Sequence, residues 1–86
     1  MATPFQLQIF TQEKKVFEGA VTSITVPGEE GYIGVLAHHA PLVTTLGKGK
    51  LKVVSATAEA QYQVSGGFLE VHDNVATLLV DNLVEI

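Results

Sequence analysis

Apolar and polar residues alternate with a period of two along much of this chain. Every second residue is apolar in residues 5–10, and residues 21–26 repeat the pattern. Because successive side chains of an extended strand point to opposite faces, this alternation predicts β-strands. Shorter runs rich in Val, Ile, Tyr and Phe predict further strands at residues 32–36, 42–46, 51–54, 62–64, 67–72 and 75–80.

Turn-forming residues separate these runs. Strands that begin about every ten residues, with turns between them, are typical of antiparallel sandwiches and barrels. The Asp73-Asn74 pair predicts a tight hairpin, because both residues tolerate positive φ angles. The Gly66-Gly67 pair predicts a bulge, or a bend where another backbone passes close. For residues 55–61 we favour a hairpin tip over a short helical turn.

Composition restricts the fold to one small domain. At this length, residues 1–86 are expected to form a single domain around one core. Hydrophobic residues make up 47% of the chain and charged residues 16%, which is too apolar for disorder, while the apolar runs are too short to span a membrane. The chain has no cysteine, so neither a disulfide nor a thiolate metal site can brace the fold.

The charge pattern argues against a nucleic-acid partner. Nine acidic residues against five lysines give a formal charge of −4, and arginine is absent. Binding to a phosphate backbone usually requires a basic surface, so no nucleic-acid binding is expected. The N-terminus has neither the basic start nor the continuous apolar stretch of a signal peptide, so a cytoplasmic or equivalent compartment is expected.

Residue chemistry gives little support for catalysis, metal binding or a cofactor. His38 and His39 are adjacent and would point to opposite faces of an extended chain, whereas a zinc site needs three or four convergent ligands. A small hydrolase built on Ser65, His39 and Asp81 is the weakest of the functional hypotheses, because the flanking glycines and strand-to-helix turn of a nucleophile elbow are missing. We therefore expect no catalytic, metal-binding or cofactor-binding residues.

Three lysines at alternate positions leave a second class of function open. Lys48, Lys50 and Lys52 would share one face of a strand, which is most simply a solvated face and less simply a functional basic stripe. A small β-sandwich carrier or ligand-binding module is the alternative that they suggest. A carrier needs a single exposed lysine at a hairpin tip, and here Lys48 and Lys50 are each flanked by glycine.

The segment 31–42 is unusual because it is apolar, carries Tyr32, two histidines and Pro41, and is too long for a simple hairpin connection. Exposed apolar and aromatic residues rimmed by polar ones usually form an interface, and the plain alternative is a core strand followed by a turn. The pattern favours neither. The residues by themselves therefore predict a small β-sandwich that serves as a binding or assembly module.

Several motifs occur in an order that resembles one protein family. They are V-P-G-E-E-G-Y-I-G-V-L-A-H-H-A-P-L at residues 26–42, V-F-E-G at 16–19, G-K-G-K-L at 47–51, S-G-G-F-L-E-V at 65–71 and V-A-T-L-L-V-D at 75–81. Together they resemble the N-terminal domain of the epsilon subunit of F-type ATP synthases, a subunit called delta in mitochondria and epsilon in chloroplasts.

The resemblance implies an all-β fold, a flattened antiparallel sandwich of about ten short strands. It also implies a non-catalytic subunit of the central stalk, which binds the gamma subunit and the c-ring and couples ion flow to ATP synthesis. Such a subunit lies at the cytoplasmic face of the membrane, or at the equivalent thylakoid or inner mitochondrial surface, without inserting into it. Family members commonly continue into two regulatory helices, and because the sequence ends at Ile86 no inhibition or nucleotide binding is expected from these residues.

The same resemblance supplies candidate contact residues. The turn that contains Glu30, Gly31 and Tyr32 would face the loops of the c-ring. The segment of His38, His39, Ala40, Pro41 and Leu42 would lie towards gamma and the ring, and Thr11 and Gln12 would contact gamma.

Phe68 is a candidate for the core, and if it is buried its truncation to alanine would cost roughly 3–5 kcal/mol.

Overall fold

The structure is a computed structural model that describes residues 2–86, and these residues form an all-β fold of eight strands. Residues 2–86 contain no helix that could span a membrane. The strands are β1 (Phe5–Phe10), β2 (Lys15–Val21), β3 (Ser23–Gly28), β4 (Gly31–Val35), β5 (Leu42–Thr45), β6 (Lys48–Val54), β7 (Glu59–His72) and β8 (Val75–Glu85).

The strands pair in the order β2-β1-β8-β7-β6-β3-β4, and β5 pairs separately with β7. All pairs are antiparallel except β1 with β8. The front sheet consists of β2, β1, the first half of β8, the second half of β7 and β5. The back sheet consists of β4, β3, β6, the first half of β7 and the end of β8. The two long strands therefore belong to both layers of the sandwich.

The strand β7 passes from one layer to the other at Gly66 and Gly67, and its partner β8 crosses beside it. These glycines have φ angles of 74° and 120°, which favour glycine. The pairing of β7 with β8 keeps the same register on both sides of the bend, so no residue is inserted and the feature is a bend, not a bulge. Val64 is buried before it and Leu69 after it, five positions apart, so the inward-facing side of the strand changes there.

The core lies between the inner faces of the two sheets. The sequence alternation places every second side chain of a strand in this space, where apolar burial is worth about 25 cal/mol per Å². Within residues 2–86, every side chain that is buried from solvent is apolar or aromatic. The largest with less than 2% exposure are Leu7, Ile9, Ile24, Leu51, Leu69, Leu78, Val21, Val26, Val35, Val64 and Val80.

The β-sandwich prediction is confirmed, and two local turn predictions are correct. Asp73 and Asn74 have φ angles of 51° and 63° and join β7 to β8 in a tight hairpin. Residues 55–58 form the tip between β6 and β7, closed by a hydrogen bond of 2.8 Å from the Ser55 amide to the Ala58 carbonyl. Eight strands replace the expected ten, because β7 and β8 each run through both layers as one continuous strand.

Two details of the sequence prediction were wrong. The run 21–26 is divided, because β2 ends at Val21 and β3 begins at Ser23. Phe68 does not belong to the core: it is 39% exposed, whereas Leu69 beside it is completely buried. Only one of two adjacent strand residues can face inward, and the change of side at Gly66-Gly67 gives that place to Leu69.

Burial affects the ionisation of one core residue. Tyr62 is 8% exposed, and desolvation, followed by the charge of Glu85, raises the pKa of its phenol above the ordinary value. The neutral phenol therefore stabilises the fold below the pKa of tyrosine in the unfolded chain, and this contribution is lost as the pH rises through the folded-state pKa.

We accordingly predict that alkaline titration of a Tyr32→Phe variant, followed by phenolate absorbance, shows Tyr62 ionising at higher pH in the folded chain than in urea. Equal midpoints in the two states would contradict the burial of the hydroxyl end of this side chain.

Candidate partner-binding surface

The candidate contact residues fall into two groups at opposite ends of the front sheet. Phe10, at the end of β1, pairs with Leu79, which in turn pairs with Phe68, the residue directly after the Gly66-Gly67 bend. Thr11 and Gln12 follow Phe10 and therefore lie near the bend. Thr45 pairs with Phe68 from the other side and lies at the same end of the sheet. The turn of Glu30, Gly31 and Tyr32 contacts Thr45 through its neighbour Glu29, and thus lies at the same end. Residues 38–42 lie at the other end, beside the β7–β8 hairpin.

The β3–β4 turn is compact and anchored to β5. Gly28 pairs with Gly31, and an added Cβ at Gly28 would lie 2.8 Å from the Gly31 carbonyl oxygen. The Glu29 amide donates to the Thr45 carbonyl at 3.3 Å, and the Thr45 hydroxyl donates to the Glu29 carboxylate. Glu30 is left exposed at the tip of this turn. The turn therefore presents a carboxylate on a braced backbone.

Tyr32 packs back on its own domain, although 60% of it is exposed. Its hydroxyl accepts a hydrogen bond of 3.1 Å from the Lys50 amide, where β3 and β6 are no longer paired. Gly49 makes room for the ring, since an added Cβ there would lie 2.6 Å from the Tyr32 hydroxyl. The side chain thus bridges the gap between β3 and β6 while most of its surface stays exposed to solvent.

Asn74 holds the second group in place. Its side-chain oxygen accepts a hydrogen bond of 2.7 Å from the His38 amide, and its side-chain nitrogen donates to the Pro4 carbonyl at 3.3 Å. The Asn74 carbonyl also accepts from the Gln6 amide at 3.1 Å. One hairpin residue therefore fixes both the N-terminal segment and the loop after β4. His38 is held there at a φ of 62°.

The remaining residues of this loop are positioned by local contacts. His39 is half-buried, with its ring Nδ1 2.7 Å from the Ala40 carbonyl oxygen. Ala40 and Pro41 are exposed, and Leu42 packs against the core as β5 begins. The two ends of this loop are thus held in place, and its centre at Ala40 and Pro41 is exposed to solvent.

Thr11 and Gln12 belong to the β1–β2 turn. The Thr11 amide donates to the Lys14 carbonyl at 2.9 Å, and Gln12 is exposed. Next to this turn the Lys15 ammonium donates to the Glu18 carboxylate at 2.7 Å, and this hydrogen bond is the main reason that the pKa of Glu18 lies below its usual value. Both side chains are exposed, so the pair contributes little to stability.

The outer face of the front sheet carries an apolar surface that the sequence analysis missed. Phe10, Leu79 and Phe68 occupy neighbouring positions on three adjacent strands, and we call them the apolar row. Val43, which is 71% exposed, lies beside the row on β5. The sequence did carry a signal for it: two apolar residues follow one another at Leu78-Leu79 and at Phe68-Leu69. Because neighbouring residues of a strand point to opposite faces, one residue of each couple must face outward.

The arrangement does not support the enzymatic alternative. The Ser65 hydroxyl accepts from the Asn82 side chain at 3.5 Å, whereas the ring of His39 contacts the Ala40 carbonyl. No nucleophile–base pair connects Ser65 and His39 in the described hydrogen bonds. Within residues 2–86 no three His, Asp or Glu side chains lie close enough together to hold a metal ion.

The carrier alternative also lacks its required geometry. Lys48 and Lys50 lie within β6, opposite Ser65 and Gln63, and not at a hairpin tip. The tip between β6 and β7 is residues 55–58, which contain no lysine.

Comparison with known proteins identifies the family. Residues 4–86 match the family model described as ATP synthase, Delta/Epsilon chain, beta-sandwich domain. The chain belongs to this family. The resemblance inferred from the ordered motifs is confirmed, and so is the fold that it implied.

Sequence comparison with individual members of the ATP synthase delta/epsilon family gives the same assignment. The chain is 41% identical over 81 residues to the ATP synthase epsilon chain of Leptospira borgpetersenii, an alignment covering 94% of this chain and 64% of the relative. It is 38% identical over 82 residues to the epsilon chain of Dichelobacter nodosus, covering 94% and 57%. The chain thus spans less than two thirds of the length of these relatives.

Two solved structures contain chains of the same architecture. A chain in the cryo-EM structure of the Euglena gracilis mitochondrial ATP synthase, OSCP/F1/c-ring, superposes with a TM-score of 0.91 at 31% identity, covering 99% of this chain and 55% of the other. A chain of the Tetrahymena thermophila central stalk and c-ring structure gives a TM-score of 0.80 at 19% identity, covering 96% and 67%, which shows the fold alone.

Proposed function

We propose that this chain is the sandwich domain of a non-catalytic rotor subunit in the central stalk of an F-type ATP synthase. It binds the gamma subunit and the c-ring, and so helps couple ion flow to ATP synthesis. The observation that carries the proposal is the match of residues 4–86 to the delta/epsilon sandwich family. The relatives named above are ATP synthase epsilon chains, which supports the same role here.

A rigid scaffold with separate contact surfaces fits a coupling role. The sandwich is closed around an apolar core, and its two long strands pass through both layers. The outer face of the front sheet and the tip of the β3–β4 turn are separate surfaces, so two partners can bind at the same time. Transmission of torque requires such simultaneous contacts on a body that does not deform.

The gamma subunit is the proposed partner of the front sheet. The apolar row lies beside the turn of Thr11 and Gln12, and Phe68 is the large exposed aromatic residue of that row. Aromatic residues in the centre of an interface, with polar residues around them, supply much of the binding free energy in known complexes. The segment 38–42 extends this surface at the opposite end.

The c-ring is the proposed partner of the β3–β4 turn. Glu30 and Gly31 lie at its tip, and the largely exposed side chain of Tyr32 lies beside them. The turn is braced by Thr45, so it can press against the loops of the ring without rearranging. The chain would thereby be held at the cytoplasmic face of the membrane, or its organellar equivalent, as a peripheral component of the complex.

Binding to purified gamma tests the first contact. We expect the substitution Phe68→Glu to weaken gamma binding by roughly tenfold or more, because a charge in a desolvated interface centre typically costs more than about 1.4 kcal/mol. The matched control is Ala56→Glu, because Ala56 is exposed at the tip between β6 and β7, away from the front sheet. Isothermal titration calorimetry measures both affinities.

The control variant should bind gamma as the unaltered chain does, and both variants should melt within a few degrees of it. The absence of any binding by the unaltered chain at micromolar concentration would reject the gamma contact. Equal weakening of gamma binding by the two substitutions would show that the apolar row is not part of the gamma contact.

Cysteine crosslinking tests the ring contact, and the absence of native cysteine makes single-site labelling clean. We expect a chain with Glu30→Cys, but not one with Ala56→Cys, to crosslink to cysteines placed in the c-ring loops. Ala56 is an equally exposed control at the tip between β6 and β7. Crosslinking from position 56 alone would mean that the domain stands on the ring by its other end.

A further inference from the structure

The outer face of the back sheet differs in charge from the rest of the molecule. Lys48, Lys50 and Lys52 follow one another at alternate positions of β6, opposite Ser65, Gln63 and Gln61. Glu59, at the start of β7, forms an ion pair with Lys52, the last of the three.

Counting formal charges shows how uneven the distribution is. Three lysines against Glu59 give this face a charge of +2, and the other two lysines against eight acids leave −6, within the total of −4. A basic face on an acidic chain attracts a partner of negative charge, and it also orients that partner as it approaches.

The lysine face includes a shallow groove. Thr25, Tyr32, Lys50, Lys52 and Gln61 line an open space of about 440 Å³. Its floor is held by the hydrogen bond from the Lys50 amide to the Tyr32 hydroxyl. Hydroxyl and amide groups thus lie beside the ammonium groups, and a carboxylate in the groove could bind both.

The face already shows how a carboxylate binds there. The Lys52 ammonium lies 3.7 Å from the Glu59 carboxylate, and the Gln61 side-chain amide donates to the same carboxylate at 3.2 Å. No carboxylate in residues 2–86 lies within ion-pair distance of Lys48 or Lys50. One end of the stripe is therefore occupied by the chain's own acid, and the other end is open.

We propose that this face is a docking surface for an acidic polypeptide segment of another subunit. Alternate residues of a strand are about 7 Å apart, so the open pair Lys48 and Lys50 fits two carboxylates at that spacing. Alternate residues of an extended segment have this spacing, and acidic residues one turn apart on a helix have Cβ atoms about 5–6 Å apart.

Other anionic partners fit the face less well. Membrane-binding polybasic clusters usually contain roughly four to eight Lys or Arg residues, whereas this face has three and one of them is paired with Glu59. Nucleic-acid binding normally uses arginine forks and a larger basic surface, and the chain has no arginine. A protein carboxylate is the anion that Lys52 and Gln61 already bind.

The first experiment uses the isolated chain and needs no stalk assembly. The probe is a synthetic peptide of alternating Glu and Thr, and its Gln-Thr counterpart is the uncharged control. In a ¹⁵N NMR titration we expect the amide signals of Thr25, Lys50 and Gln61 to shift with the acidic peptide alone.

Matched charge variants separate this face from net charge. Lys48→Gln/Lys50→Gln and Lys14→Gln/Lys15→Gln remove the same number of lysines, from β6 and from the β1–β2 turn. We expect the first to weaken peptide binding by roughly threefold or more, as the loss of two exposed charge contacts predicts, and the second to leave it nearly unchanged. Equal effects, or shifts located elsewhere, would overturn the proposal.

The second experiment identifies the segment in the complex, and it rests on the proposed function. Complex isolated through a tag on this chain is treated with a carbodiimide, which joins lysine to carboxylate without a spacer. Peptide mass spectrometry should show Lys48 or Lys50 joined to Asp or Glu of another subunit.

Its outcomes separate the two proposals. Recovery of gamma without such crosslinks would reject the docking surface but not the rotor function. Isolation of the tagged complex without gamma would reject the rotor function, and the peptide titration would still test whether the lysine face binds an acidic segment. Crosslinks between two copies of this chain, or flotation with phosphatidylglycerol vesicles that Lys48→Gln/Lys50→Gln abolishes, would overturn the proposed partner class.

Discussion

Replacing Gly67 by alanine is expected to lower the free energy of unfolding by roughly 3–5 kcal/mol, because left-handed backbone strain of about 1–3 kcal/mol adds to an overpacking cost of similar size. The φ of Gly67 is 120°, a conformation that side-chain-bearing residues rarely adopt. An added Cβ would also collide with the Leu79 carbonyl oxygen and lie 2.8 Å from the Cα of Val80. Those atoms are backbone of the neighbouring strand, so neither can move without breaking the pairing.

Urea unfolding measures this effect, with Gly34→Ala as the matched control. Gly34 lies in β4, and a Cβ added there would meet no atom within 4 Å. The control should change the stability by no more than about 0.5 kcal/mol, as most surface substitutions do. Similar losses in the two variants would mean that the bend does not depend on glycine at position 67.

Replacing Leu69 by alanine is expected to cost about 2–5 kcal/mol of stability, the range seen when a buried leucine leaves a cavity. Leu69 has no exposed surface, and it lies in the core shared by the two sheets. The midpoint of urea unfolding should fall with an unchanged dependence on denaturant, which indicates a loss of stability and not of compactness.

Phe68→Ala supplies the comparison, since the two residues are neighbours on β7. Because Phe68 is exposed, its replacement by alanine should lower the free energy of unfolding by only about 1 kcal/mol, as is typical of substitutions outside the core. Its truncation should instead weaken gamma binding, which Leu69→Ala should affect only through the loss of folded protein. A larger loss of stability from Phe68→Ala than from Leu69→Ala would reverse the assignment of the two faces.

Much of the fold could be predicted from the sequence, because period-two alternation and turn chemistry are local signals. The hairpin at Asp73-Asn74 needed only two residues that tolerate positive φ. The number of strands was harder to predict. Two strands in different sheets and one strand bent between them have the same local pattern, and glycine interrupts the pattern in both cases.

The contact surfaces depend on information that the sequence does not carry locally. The outward direction of Phe68 is decided by the change of side at Gly66-Gly67, which involves both β7 and β8. The contact between Tyr32 and Lys50 crosses from β4 to β6, and the contact between His38 and Asn74 joins residues 36 positions apart. The ordered motifs supplied the family, but alternation could not place these side chains.

The sharing of β7 and β8 between the layers has a mechanical consequence. In a sandwich made of separate sheets, sliding of one layer over the other is resisted mainly by side-chain packing and by the loops that connect them. Here the same two strands run through both layers, and the glycine bend of β7 is tightly packed against the backbone of β8. A sideways load applied to one layer would therefore reach the other as tension along the polypeptide itself, and the domain would move as a single block.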